Sequence, residues 1–338
     1  MSAETAAGSA FSFTDPPSWH TAAPSWERPG SEDAVTARSA PPRVAERRAR
    51  SRAGFLQRHG RKRVGPNLAQ ARDRQLVARI AQPVRGSRTI AVVSTKGGVG
   101  KTSTALNLGH TLAGLRDDRV VAVDADPDAG SLAYRIPRET RCTVADLLDD
   151  LRGFDAGDVA YDDIRHYTSR ASSYLQVLAS PADPYASRML GRREYEQALE
   201  LLRRHFALIV ADCGTGVFDP ITQGMVEAAD HLVLVTTPSI DAARAVSFLL
   251  DWLTEHGHDR LVERAVLVMN AVAPRTGPVN LLEMERHFAR QVSCIARIPW
   301  DPHLETGART TMDDLRPETR RAYLHLAAAV ADHFSDRV

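Results

Sequence analysis

The chain has 338 residues, 43% of them hydrophobic, which suits one large α/β domain carrying an appendage. The net charge of +1 conceals an asymmetry: residues 1–88 hold 16 Lys and Arg against 7 Asp and Glu, while the other 250 hold 27 against 35. Cys142, Cys213 and Cys294 are scattered and form no CxxC pair, which argues against a zinc site or a disulfide framework. No apolar run reaches the roughly 18 residues that span a bilayer. The N-terminus lacks a basic region followed by an apolar one, so the expected location is cytoplasmic, with membrane or nucleoid recruitment left to partners.

Residues 1–42 are rich in Ala, Pro, Ser and Thr and cannot bury enough apolar surface to offset ordering entropy, so they are expected to be disordered. They contain a near-repeat, PPSWH and APSWE, that carries Trp19 and Trp26. Two readings stand: anchors for a protein partner, or chance in a biased composition. Residues 43–63 carry nine basic side chains and one acidic, a pattern for binding nucleic acid or anionic lipid, or for a solvated linker. Leu68, Leu76 and Ile80 lie near helical spacing, and the spacing predicts a short helix over 68–81, closing a linker of 43–87.

From residue 88 onward the pattern is that of a folded domain, expected to run to 338. Strands are predicted at 89–94, 119–124, 174–179, 207–212, 231–236, 265–270 and 294–299, with helices at 102–115, 192–205, 241–256, 279–290 and 317–334. Continuous apolar strands alternating with amphipathic helices imply a doubly wound α/β fold with a mainly parallel sheet. In the last helix Tyr323, Leu326, Ala327, Val330 and Phe334 share one face, expected to pack on the sheet and not to anchor a membrane.

The first strand runs into TKGGVGKTST, which opens a helix. Strand, glycine loop and helix are the context of a phosphate-binding loop: glycines let backbone N–H groups converge on an anion, and the helix N-terminus adds positive potential. Gly97, Gly98, Val99, Gly100, Lys101, Thr102 and Ser103 would then cradle a nucleotide, Lys101 reaching the phosphates and Thr102 offering a hydroxyl to Mg²⁺. Only three of the 43 basic residues are lysine, Lys62, Lys96 and Lys101, so two in one loop is notable. Lys96, five residues before Lys101, projects from the far side of the loop and is not needed for its own nucleotide. The acidic pair in VDADPD, Asp124 and Asp126, leaves a strand end facing the loop, and ALIVAD ends on Asp212.

The common pattern G-x-x-x-x-G-K-[ST] is not met, because Thr95 stands where the first glycine belongs. The variant K-G-G-x-G-K-[ST] resembles the deviant phosphate loop of the ParA/MinD family of dimeric ATPases, and the resemblance covers about residues 88–338. It implies ATP and Mg²⁺ as ligands, an ATP-dependent homodimer, and a role for Lys96 as the signature lysine that crosses the interface to the partner's nucleotide. It further implies that Asp126 orients the attacking water and that Asp124 and Asp212 support the metal. Gly214 would sense the γ-phosphate, although CGTG replaces the prolines common there. Asn270, with the backbone of Pro299 to Asp301 in IPWDP, would read adenine beside Trp300. Slow hydrolysis is expected, because no arginine finger is evident. Nitrogenase-iron-protein-like reductases are disfavoured by the scattered cysteines. The details of AVDADPDAGSLAYR and RIPWDPHLETGA look closest to actinobacterial MinD-like ATPases, some encoded with type VII secretion systems. A partition-type ATPase that binds DNA and a non-hydrolysing adaptor acting through its tail are the alternatives.

Overall fold

The computed structural model describes residues 68–126, 130–152, 158–183, 190–216, 218–270 and 281–335. The tail 1–42 with Trp19 and Trp26, and the basic segment 43–63, lie outside the described residues.

In chain order the elements are α1 (Leu68–Ile80), β1 (Arg88–Ser94), α2 (Lys101–Leu115), β2 (Val120–Ala125), a 3-10 turn (Leu132–Arg135), α3 (Val144–Asp150) and α4 (Tyr161–His166). There follow β3 (Thr168–Arg170), β4 (Gln176–Leu178), α5 (Arg192–His205), β5 (Leu208–Thr215), α6 (Pro220–Glu227), β6 (His231–Thr236) and α7 (Ile240–Glu255). The last are α8 (Asp259–Glu263), β7 (Val266–Asn270), α9 (Leu281–Phe288), β8 (Cys294–Ile298), α10 (Pro302–Glu305) and α11 (Pro317–Ala331).

The eight strands form one sheet in the order β3-β4-β2-β5-β1-β6-β7-β8. Every pairing is parallel except β3 with β4. Alternate residues feed two cores. Ile90, Val92, Ala122 and Val210 pack on one face with α2 and α11, whereas Ala91, Val93, Val123 and Ala211 pack on the other with α5 and α7. Burial on both faces is why these strands read as unbroken apolar runs. Chain direction across the sheet reverses at β1, which lies between β5 and β6, so its C-terminal end opens at a topological switch point.

Two predicted strands differ by more than one residue at an end, and the short β3 has no predicted counterpart. β4 is shorter than 174–179 because Tyr174 turns at φ 71, with Ala171 N donating to Leu175 O at 2.8 Å. β5 runs past Asp212 to Thr215, and a register shift against β1 between Val92 and Ser94 absorbs the extra length. The final helix ends at Ala331, short of 334, but packs on the sheet as expected: Tyr323, Leu326, Ala327 and Val330 are buried, as is Phe334 in the turn beyond it.

Candidate functional site

Strand β1 delivers the glycine loop at its C-terminal end, where Ser94 Oγ donates to Lys96 O at 3.0 Å. Gly98 at φ 75 and Gly100 at φ 90 turn the chain through the left-handed region before α2 begins at Lys101. A Cβ on Gly100 would sit 2.0 Å from Asn270 Nδ2. The corresponding positions on Gly97 and Gly98 meet no atom within 4 Å, so the loop presents an open backbone face ahead of the α2 N-terminus. Val99 is buried, and its carbonyl accepts from Asn270 Nδ2 at 2.9 Å. Asn270 therefore clamps the loop with its amide nitrogen.

Lys101 is only 6% exposed. Its Nζ lies 2.9 Å from Asp212 Oδ1 and 3.3 Å from Asp126 Oδ2. Burial works to lower its pKa, but the Asp212 and Asp126 carboxylates outweigh that and hold it above its ordinary value. Asp124 and Asp212 are direct neighbours on β2 and β5, both buried. Burial, and then the charge of Asp212, push the Asp124 carboxyl up to about 7 against the pull of hydrogen bonds from Leu132 N and Asp126 N. These bonds are 2.9 Å and 3.3 Å long. At Asp212 burial acts in the same direction, opposed by Lys101 and by the Thr102 hydroxyl. Asp212 Oδ2 is buried without a hydrogen-bond partner among the described residues. An orphaned carboxylate oxygen next to a threonine hydroxyl suits Mg²⁺, which takes one or two carboxylates and fills its shell from phosphates and water. Among the described residues no cluster of three or more His, Cys, Asp or Glu forms an all-protein metal cage.

A cleft of about 190 Å³ joins Gly98, Gly100 and Ser103 to Asn270, Pro299 and Asp301, with Arg135 and Trp300 in its wall. Asn270 and Ile298 pair across the ends of β7 and β8, which sets the following Pro299 beside the loop. The Asp301 carboxylate caps α10, accepting from His303 N at 3.0 Å and from Arg316 N at 2.9 Å. Burial works to raise its pKa, yet these backbone donors hold it below the usual range. Its backbone, not its side chain, is what remains for a ligand. Trp300 Nε1 donates to Glu305 Oε2 at 3.1 Å, and the Arg316 guanidinium lies 5.1 Å from its ring centre.

The structure thus gathers Lys101, Thr102, Asp124, Asp126 and Asp212 at one end of the loop and Ser103, Asn270, Pro299 and Asp301 around the cleft. Lys96 stands apart: its side chain is 44% exposed and its Nζ lies 4.0 Å from Asp241 Oδ2 in the first turn of α7. Gly214 is buried within β5, and Gly216 at φ 94 donates its N–H to Ser94 O at 3.0 Å, tying the end of β5 to the start of the loop. Two residues escaped the sequence reading. Gly130 is one: a Cβ there would fall 2.1 Å from Asp124 Oδ2 and 2.0 Å from Ser180 Oγ. Arg135 is the other: its Nη1 donates to Ser103 Oγ at 2.8 Å. In so arginine-rich a chain nothing local marks Arg135 out, and the need for glycine at 130 arises from the Asp124 carboxylate together with Ser180, which is 50 residues away in sequence.

The CobQ/CobB/MinD/ParA nucleotide binding domain model matches residues 90–312. Over 261 residues the chain is 40% identical to the ESX-1 secretion-associated protein EspI of Mycobacterium tuberculosis, covering 77% of this chain and 38% of EspI. The septum site-determining protein MinD of Bacillus subtilis is 30% identical over 189 residues, covering 54% of this chain and 64% of that protein. The ParA family ATPase of Chlorobium tepidum superposes with a TM-score of 0.60 at 22% identity, over 72% of this chain and 98% of that one. The MinD of Pyrococcus horikoshii, solved with Mg-ADP, gives 0.57 at 22%, over 71% and 94%. At such identity the two structures speak to fold alone, but the family model spans well over half the chain and coincides with the loop, the acid pair and the cleft. The chain belongs to the CobQ/CobB/MinD/ParA nucleotide-binding family.

Proposed function

We propose that the chain is an ATP-binding, slowly hydrolysing switch, in which two copies sandwich ATP and each donates Lys96 to the other's nucleotide. The observation that carries this reading is the divergence of the two lysines. Lys101 is buried between Asp212 and Asp126, whereas the Lys96 side chain is exposed, with its ammonium 4.0 Å from Asp241. A lysine pointing away from its own loop is available to a second subunit, and a weak exposed ion pair costs little to exchange. Thr102, Asp212 and Asp124 would hold Mg²⁺, which when bound neutralises charge on the β- and γ-phosphates. Gly97, Gly98 and Gly100 shape the anion cradle, Lys101 pairs with phosphate, and Asp126 at the loop's mouth orients the attacking water. Asn270 fixes the loop, and the Pro299 to Asp301 backbone borders the base.

The output of the switch is the positioning or regulation of a partner assembly. The relation to a protein named as ESX-1 secretion-associated favours a type VII secretion system, with the N-terminal tail as the docking segment. Lys96→Ala is expected to keep the Kd of the monomer for ADP within about twofold and to abolish the dimer that forms with ATP. Light scattering behind size exclusion, with and without Mg-ATP, reads this directly. ATP-dependent dimers of normal affinity in the variant would remove Lys96 from the interface.

A further inference from the structure

Arg135 closes the 3-10 turn that follows β2. Its backbone is fixed, since Thr310 N donates to its carbonyl at 2.9 Å. Its half-buried side chain lies in the wall of the cleft, and the one hydroxyl it meets is that of Ser103, the third residue of α2. Among the described residues no carboxylate lies within ion-pairing distance of it. The two cleft carboxylates are already engaged, Asp301 by backbone N–H groups and Glu305 by the Trp300 indole. A guanidinium carries five N–H donors in a planar fork, and one neutral hydroxyl satisfies a single donor. Burial pulls its pKa below the ordinary arginine value, and the charges of Asp212 and Asp124, which make no ion pair with it, offset this only in part. A phosphate seated against the α2 N-terminus would give this guanidinium the anion contact it lacks.

We infer that Arg135 is a phosphate ligand of the bound nucleotide, approaching it from the Ser103 side of the loop. It would complete from the β2 flank a cradle that Lys101 begins from within. The inference rests on reading the cleft as the nucleotide site.

The test is the affinity of the full chain for Mg-ADP by titration calorimetry, together with melting temperatures without nucleotide. Arg135→Gln is expected to weaken ADP about tenfold, and Arg135→Lys, which keeps charge but loses the fork, about threefold. The nucleotide-free melting temperature of both should stay near that of the wild type. Wild-type affinity in Arg135→Gln overturns the inference. So does a fall in melting temperature with unchanged affinity, which is the signature of a residue that only holds Ser103. Should Arg135→Gln not fold, Arg135→Lys decides alone, and wild-type affinity there is equally fatal. If the wild-type chain itself binds neither ADP nor ATP, the reading of the cleft fails first, and Arg135 falls with it.

Discussion

Gly97 and Gly100 occupy one loop yet should respond differently to the same substitution. Gly100 sits at φ 90 with Asn270 Nδ2 where a Cβ would go, so Gly100→Ala must break the clamp on Val99 O as well as strain the backbone. A loss of about 2 kcal/mol or more is expected in urea denaturation. Gly97→Ala meets open space and should stay within about 0.5 kcal/mol of wild type. Lys101 poses a different problem, because removing it leaves Asp212 buried beside Asp124 with its counter-charge gone. Lys101→Ala should cost on the order of 3 kcal/mol near neutral pH, and adding Asp212→Asn should restore at least half of that. No recovery in the double variant would show that the buried ammonium is not there to offset Asp212. The sequence identified these residues because glycine spacing and strand-end acids are local patterns. The spatial roles of Asn270, Gly130 and Arg135 were not legible, since each depends on an atom far away in the chain.

At the scale of elements, the long strands and helices were readable because each buries a periodic face. The missed ones are short or held by caps: α3 is capped by Thr143, which shares a capping box with Asp146, and α6 begins with Pro220 after the Asp219 cap. The three-residue β3 is too brief to show any period. Helix α2 also carries an acid-labile contact. His110 is buried, with Nδ1 2.6 Å from Ser173 Oγ, and burial pulls its pKa down to about 4. A folded-state value below the unfolded 6.5 means that the unfolded chain takes up the proton first. Stability from this group is therefore complete above about pH 6.5, declines as pH falls towards 4, and changes no further below that. The integrated loss is on the order of 3 kcal/mol, and His110→Gln should flatten the melting-temperature profile over that window. At the far end of the domain Phe334, just beyond α11, is fully buried against His231 and Arg116. Phe334→Ala should cost about 3 to 5 kcal/mol in urea denaturation, because the segment belongs to the core.

Across the whole molecule, β1 divides the labour. The carboxylates arrive from the β2 and β5 flank, and the cleft is built on the β7 and β8 flank. A ligand that spans the loop touches both halves of the sheet, which is how one small molecule could be felt by the entire domain. The Lys101 ammonium has a further consequence. It is already neutralised by Asp212 and Asp126, so on the proposed reading a polyphosphate arriving alone would have to draw the cation away and strand the buried Asp212 carboxylate. A divalent ion arriving with the polyphosphate replaces one counter-ion by another. Loading would then be an ion exchange, with the nucleotide and its metal as the unit exchanged. ADP in excess chelator should bind at least tenfold more weakly than Mg-ADP by calorimetry, and equal affinities would mean that Lys101 leaves its carboxylates unaided.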